Sequence, residues 1–203
     1  MRRDERIYKL TDRLSDIAKR ALDISVSGIA LVILAIPMLL LAAAVRLTSP
    51  GPAIHWSRRV GRRNSLFLMP KFRTMRIDTP QVATHLMTDP DLWLTPIGGF
   101  LRRSSLDELP QLFSVFTGRM SLVGPRPALF NQDDLVGLRT QKGVDALRPG
   151  LTGWAQVNGR DELDIAEKAR LDAEYLARRS LVFDLKVIML TLARVVRRQG
   201  VSF

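Results

Sequence analysis

The chain has no cysteine in its 203 residues and only two histidines, His55 and His85. The missing cysteine excludes disulfide scaffolds, Cys-ligated zinc, iron–sulfur clusters and thiolate nucleophiles. The pair of histidines, thirty residues apart, leaves little for a His-based metal site or a His general base. Negative charge is also short: 20 Asp+Glu against 31 Lys+Arg give a net charge of +11. Such an excess points to an anionic partner, whether nucleic acid, a membrane surface or a phosphorylated substrate. No Walker A loop, dinucleotide fingerprint, H-E-x-x-H, EF-hand loop or G-x-S-x-G occurs, which removes the commonest nucleotide and hydrolase motifs. What remains is a length suited to one domain and a 46% hydrophobic content, too high for a disordered chain.

Charge is missing altogether from residues 24–45, a run that includes IALVILAIPMLLLAAAV. As a helix it would extend about 33 Å, comparable with the roughly 30 Å core of a bilayer. The run starts late, has no small-residue cleavage site and is followed at once by Arg46, which reads against a secretory signal peptide. Pro37 lies inside it and should kink the helix by removing the hydrogen bond to the Ile33 carbonyl. Lys and Arg flank both sides, so the charge asymmetry that orients a spanning helix is weak. The reading favoured is a re-entrant helix bent at Pro37, and the alternative is a kinked transmembrane helix.

Ahead of this run, Ile7, Leu10, Leu14, Ile17, Ala18 and Ala21 recur at helical spacing. Arg6, Lys9, Arg13, Asp16, Lys19 and Arg20 occupy the other face. A basic amphipathic helix of this kind suits the interface of an anionic membrane. Residues 181–198 form a second apolar helix, whose polar stripe is Asp184, Thr191, Arg194 and Arg198. It is compatible with lipid, with core, or with a second copy in a homodimer. Residues 163–179 read as a charged helix, and Ala53–Trp56 and Ser65–Met69 as short strands in an irregular, Gly/Pro-rich middle.

Two adjacent carboxylates stand out in RRSSLDELPQL (102–112), Asp107 and Glu108. Ser105 and Glu108 match a capping box, whereas a helix capped by Asp107 places Pro110 third, where its N–H is not needed. Either version sets the carboxylates at a helix start that attracts phosphate. Adjacent carboxylates resist joint ionisation, so one is a candidate proton carrier, or both share a divalent cation. Arg126 sits between two prolines in Gly124-Pro125-Arg126-Pro127, a stiff mount for a guanidinium that binds phosphate oxygens bidentately. The loop from Pro149 to Arg160 adds glycines, amides, Trp154 and a terminal arginine, and reads equally as a connector with Trp154 as core plug. A membrane anchor, paired carboxylates and stiffly mounted arginines permit phosphoryl transfer at a membrane surface.

The segments KRALDI (19–24), SPGPA (49–53), RRVGRRNSLFLMPKFRTM (58–75), RRSSLDELPQL (102–112), GRMSLVGPRP (118–127) and RPGLTGWAQVNGR (148–160) occur in this order. In them the chain resembles the small monotopic phosphoglycosyl transferases, also called bacterial sugar transferases, from about Lys19 to Arg198. The resemblance implies transfer of a phosphosugar from a UDP-sugar to polyprenol (undecaprenyl) phosphate with release of UMP, the first membrane step of glycoconjugate or exopolysaccharide assembly. It implies Mg²⁺ as cofactor, held by Asp107 and Glu108, and a ping-pong route in which Asp107 takes the phosphosugar covalently and Glu108 assists. Arg102, Arg126 and Arg160 fall where family members hold phosphate or nucleotide, Arg103 being the alternative to Arg102. Family members often break the re-entrant helix at Ser-Pro; this chain has Ile36-Pro37. With only a short stretch before Lys19, the resemblance leads to the expectation of the minimal form of the family.

The expected organisation is therefore α+β, mostly helical with short strands, and monotopic at the membrane. Residues 1–23 form an amphipathic interfacial helix and 24–45 a re-entrant helix broken near Pro37. Residues 46–203 form a catalytic domain on the cytoplasmic face of the bacterial inner membrane, ending in an interfacial helix. The competing expectation is a non-enzymatic basic module that binds nucleic acid or anionic lipid through residues 46–76, which hold eight Lys/Arg and no acid. The apolar run has no place in a soluble nucleic-acid protein, so no nucleic-acid partner is expected.

Overall fold

A computed structural model describes residues 3–79, 89–159 and 163–197; His85, Arg160 and Arg198 lie outside the described residues. Helix α1 (Arg3–Ile33) runs without interruption past residue 23, so the interfacial and apolar stretches share one helix. Helix α2 (Ala35–Thr48) follows at a 62° bend. The bend has a local cause. Pro37 has no N–H for the Ile33 carbonyl and its ring crowds that oxygen, while the ladder is kept on either side by Leu34 N–H to Ala30 O and Met38 N–H to Leu34 O, both 2.8 Å. Among the described residues no single helix is long and apolar enough to cross a membrane, but this bent pair is, by length and composition.

Two cations of the expected basic face of α1, Lys19 and Arg20, turn to protein partners. Lys19 donates to Asp184, and Arg20 donates to the carbonyls of Val115 and Phe116, each at 2.7 Å. Asp23 is buried and accepts the Leu122 N–H at 2.9 Å. The physical reason is that helix-terminal carbonyls and a strand N–H need partners, and long cationic and short acidic side chains supply them. Outward go Ile17, Ile29, Val32, Ile33, Ile36, Leu39 and Leu40, all well exposed. The side chains before Ser15 on that expected face lie outside the described residues.

Strands β1 (Ile54–Val60) and β2 (Leu66–Phe72) form an antiparallel hairpin registered from Ile54 opposite Phe72 to Val60 opposite Leu66. Short helices α3 (Gly98–Arg103) and α4 (Gln111–Phe116) follow. A second, parallel pair joins β3 (Ser121–Val123) to β4 (Gly150–Thr152), with α5 (Asp133–Gln141) between them. Helices α6 (Ile165–Arg178) and α7 (Leu181–Arg197) end the described chain. The start of α6 is fixed by Asp164, whose carboxylate accepts the Glu167 N–H at 2.7 Å.

The main core gathers Met69, Val115, Met120, Val123, Tyr175 and Val187. Trp154 packs against it, its ring 5.0 Å from that of Phe183, so it fills core and does not present itself to a ligand. The polar stripe of α7 faces inward at Asp184, which accepts from Tyr175 Oη at 2.6 Å, and at Thr191, bonded to Thr152 at 2.7 Å. Its opposite face leaves Val182, Leu185, Met189 and Leu192 exposed.

Candidate active site

The carboxylate pair is not at a helix start. Residues Leu106–Glu108 form one isolated 3-10 turn between α3 and α4, and α4 begins only after Pro110. Ser105 makes no side-chain cap and adopts φ 56°, ψ 17°, a left-handed conformation uncommon for a non-glycine residue. Both capping readings are thereby corrected. The SxxE spacing exists, but a left-handed Ser105 does not enter a helix in the capping geometry, and Pro110 forces a new start. Leu106 and Leu109 anchor the turn in an apolar cluster around Val45, Phe72 and Leu101. Met38, Leu41 and Ala42 of α2 pack in the same cluster, so the apolar helix pair and the carboxylate turn share a footing.

Asp107 is 7% exposed and faces a half-buried cation from β2, with Lys71 Nζ 3.9 Å from its Oδ2. Lys71 donates to Glu108 Oε1 at 3.0 Å, and Arg126 Nη2 donates to the same oxygen at 3.0 Å. Arg102, at the end of α3, donates through Nε to Thr74 Oγ1 at 3.1 Å, and its charge acts on Asp107. Burial pushes the Asp107 carboxyl above its ordinary value, Glu108 adds to this, and Lys71, Arg102 and Arg126 oppose it. Burial draws the Lys71 ammonium below its ordinary value, with Glu108 as the chief opposing charge. The structure thus brings together Asp107, Glu108, Arg102 and Arg126; Arg160 lies outside the described residues.

Lys71 escaped the sequence reading because it was absorbed in a block of basic residues. A better signal was available: in LFLMPKF it is the only charge in a largely apolar strand, and a lysine buried there requires carboxylate partners. Much of the same block is engaged internally. Arg59 Nη1 reaches Pro127 O (3.2 Å), Arg62 Nε reaches Ala146 O (2.7 Å), and Arg73 holds Pro52 O (2.7 Å) and Ser49 O (2.9 Å). These contacts tie the SPGPA and GPRP segments to the hairpin.

The Arg126 loop is fixed from below. Arg139 Nη1 donates to Arg126 O at 2.8 Å, and its Nε and Nη2 grip Asp172 Oδ2 at 2.9 and 2.6 Å. Gly124 and Gly153 allow the backbones to touch: a Cβ on Gly153 would sit 2.1 Å from Gly124 O, and one on Gly124 would sit 2.4 Å from Arg148 O. The glycines in GPRP and TGW are required by this close approach.

The residues fit the metal that the resemblance implies. Mg²⁺ is typically bound by one or two carboxylates together with substrate phosphates, and Asp107 and Glu108 form such a donor set. Among the described residues no group of three or more His, Asp or Glu could hold an ion by itself.

A protein-family model described as bacterial sugar transferase matches residues 14–198. The chain belongs to this family. Galactosyl transferase CpsE of Streptococcus agalactiae is 38% identical over 91% of this chain and 43% of its own length. The UDP-glucose:undecaprenyl-phosphate glucose-1-phosphate transferase of Escherichia coli is 39% identical over 85% of this chain and 39% of its own length. EpsL of Bacillus subtilis, described as an uncharacterized sugar transferase, is 37% identical over 92% of this chain and 91% of its own length. The chain thus spans about two fifths of the first two relatives and nearly all of the third. The carboxylate turn, the Arg126 loop and the bend between α1 and α2 all lie inside the matched residues.

Proposed function

We propose that the chain transfers a phosphosugar from a UDP-sugar to undecaprenyl or a related polyprenol phosphate, releasing UMP, by way of a covalent aspartyl phosphosugar. The observation that carries this is the buried Asp107 carboxylate held among Lys71, Arg102 and Arg126, beside Glu108. Burial favours the neutral form of Asp107, and the surrounding cations favour the charged, nucleophilic one. In the first step an Asp107 oxygen attacks the sugar-bearing phosphorus, and the bond to the bridging oxygen breaks with its electron pair leaving on UMP. In the second, an oxygen of the lipid phosphate attacks the same phosphorus, the acyl-phosphate bond breaks, and Asp107 recovers its carboxylate. Arg126 and Arg102 stand where phosphate oxygens gain charge, and a guanidinium there stabilises the transition state. Glu108 holds Lys71 and Arg126 in place by accepting from both on one oxygen. Mg²⁺, held by Asp107 and Glu108, would neutralise diphosphate charge.

Exposed side chains support a membrane placement. Apolar side chains are uncovered on α1, α2 and α7, and so are Phe100, Phe113 and Phe116 on the helices flanking the carboxylate turn. Large exposed apolar patches mark membrane or partner contacts. We place the bent pair in the cytoplasmic leaflet of the inner membrane as a re-entrant element, with the carboxylates near the headgroups and α7 against lipid. The test is Asp107→Asn with a UDP-sugar panel, undecaprenyl phosphate and Mg²⁺. The variant should release no UMP and carry no radiolabelled phosphosugar; normal turnover in it would defeat the proposal.

A further inference from the structure

A polar pocket of about 420 Å³, part of it open to solvent, lies away from the carboxylate turn, between α1, β3, the segment before β4 and the end of α6. Lys19, Arg20, Arg62, Arg148 and Arg179 line it against only two carboxylates, Asp16 and Asp23. Both carboxylates are engaged: Asp16 accepts from Arg179 at 2.7 Å, and Asp23 from the Leu122 N–H at 2.9 Å. Two of the cations are only partly used. Among the described residues Arg62 bonds Ala146 O through Nε (2.7 Å) and Arg148 bonds Gly118 O through Nε (3.0 Å), which leaves each guanidinium its terminal nitrogens. The same pocket is lined by Ser121, which is 1% exposed and whose Oγ has no partner among the described residues. Buried hydroxyls are normally satisfied. In this lining cations outnumber carboxylates, two guanidinium groups keep their terminal nitrogens, and a buried hydroxyl stands among them.

We propose that this pocket binds a phosphate group, gripped by Arg62 and Arg148 through their terminal nitrogens and by the Ser121 hydroxyl. Phosphate offers the tetrahedral set of acceptors that paired guanidinium forks match. None of Asp107, Glu108, Arg102 and Arg126 lines the pocket, so the inference stands independently of the proposed reaction. Lys19, Arg20 and Asp23 directly precede the charge-free run 24–45. A lipid headgroup and free inorganic phosphate would present the same chemistry at this position.

The test titrates the full chain in a phosphate-free sugar detergent with inorganic phosphate and follows its melting temperature. The native chain should show a saturable rise. Arg62→Gln should raise the half-saturating concentration about tenfold or more, as expected for losing a charge-assisted contact, and Ser121→Ala should shift it less but in the same direction. Arg62 is exposed, so an unaltered melting temperature without phosphate checks that the variant folds. A second arm adds phosphatidylglycerol or a phosphate-free glycolipid. Stabilisation by phosphatidylglycerol that Arg62→Gln removes assigns the pocket to a headgroup, and equal effects of both lipids assign it to free phosphate. Phosphate stabilisation lost in Arg126→Gln but kept in Arg62→Gln overturns the proposal, as does the lack of any saturable effect of phosphate or phosphatidylglycerol.

Discussion

Asp107 is governed by two opposing influences, and their balance can be measured. Burial raises its pKa, while Lys71, the largest of the opposing charges, holds it down. The proposed nucleophile is the ionised form, so transfer should fall as pH drops through a midpoint above the ordinary carboxylate range. Removing the Lys71 charge in Lys71→Met takes away the main lowering influence. The acid limb of kcat should therefore move to higher pH, and Lys71→Arg should return it toward the native position; an unmoved limb would show that Lys71 does not control Asp107. Stability carries the opposite sign. A carboxyl whose folded pKa is raised binds its proton more tightly in the native state, so its contribution is complete below the unfolded value and lost as pH rises through the folded one. Ionised Asp107 thus weakens the fold near neutrality. Asp107→Asn should melt at least as high as the native chain near neutral pH, with the difference shrinking below the carboxylate range. Asp107, Glu108 and Arg126 were legible in the sequence because their motifs are compact. Lys71 was not, since a string of basic residues does not indicate which member is buried.

Among the elements, α5 and α6 act on the site through the Arg126 backbone. Arg139 of α5 joins the Arg126 carbonyl to Asp172 of α6, and Arg139 and Asp172 are both buried. Burial raises the Asp172 carboxyl and Arg139 opposes it. Arg139→Met leaves a buried carboxylate without its partner, a loss that typically costs about 3–5 kcal/mol. The melting temperature should fall by roughly 10 °C, as expected for a domain of this size, and the loosened Arg126 loop should lower kcat at saturating substrate. Thermal melts beside turnover would separate the two, since intact kcat in a destabilised variant would disconnect the link from the site. Some of this architecture was legible. The charged helix over 163–179 and the apolar helix over 181–198 emerged from spacing, and Ala53–Trp56 and Ser65–Met69 were read as short strands, though their pairing as a hairpin was not. Strands β3 and β4 were hidden because three residues among glycines and prolines carry no period. The helix start at Asp107 was misplaced because a capping pattern does not reveal that Ser105 is left-handed.

At the scale of the whole molecule, what spacing left open was direction. Periodicity on α1 and α7 established which residues share a face, but not that Lys19, Arg20, Asp23 and Asp184 turn inward and the aliphatic face outward. Polar side chains inside and apolar side chains outside suit a surrounding of lipid, and the 62° bend then determines whether the chain returns to the side it entered. The absence of cysteine makes this directly measurable, because an introduced thiol is unique in the chain. Leu10→Cys and Ser65→Cys, on opposite sides of the bend, should both react with a membrane-impermeant reagent from the cytoplasmic side only. Pro37→Ala restores the N–H that the Ile33 carbonyl lacks and removes the ring that crowds it. If that steric break sets the topology, the straightened helix is long enough to span, and in the Pro37→Ala background one of the two thiols should become reactive from outside. Since α2 shares the Val45–Phe72–Leu101 cluster with the carboxylate turn, the same variant should lose transfer together with re-entrance. Outside labelling of either thiol with Pro37 in place would show that the pair spans the membrane.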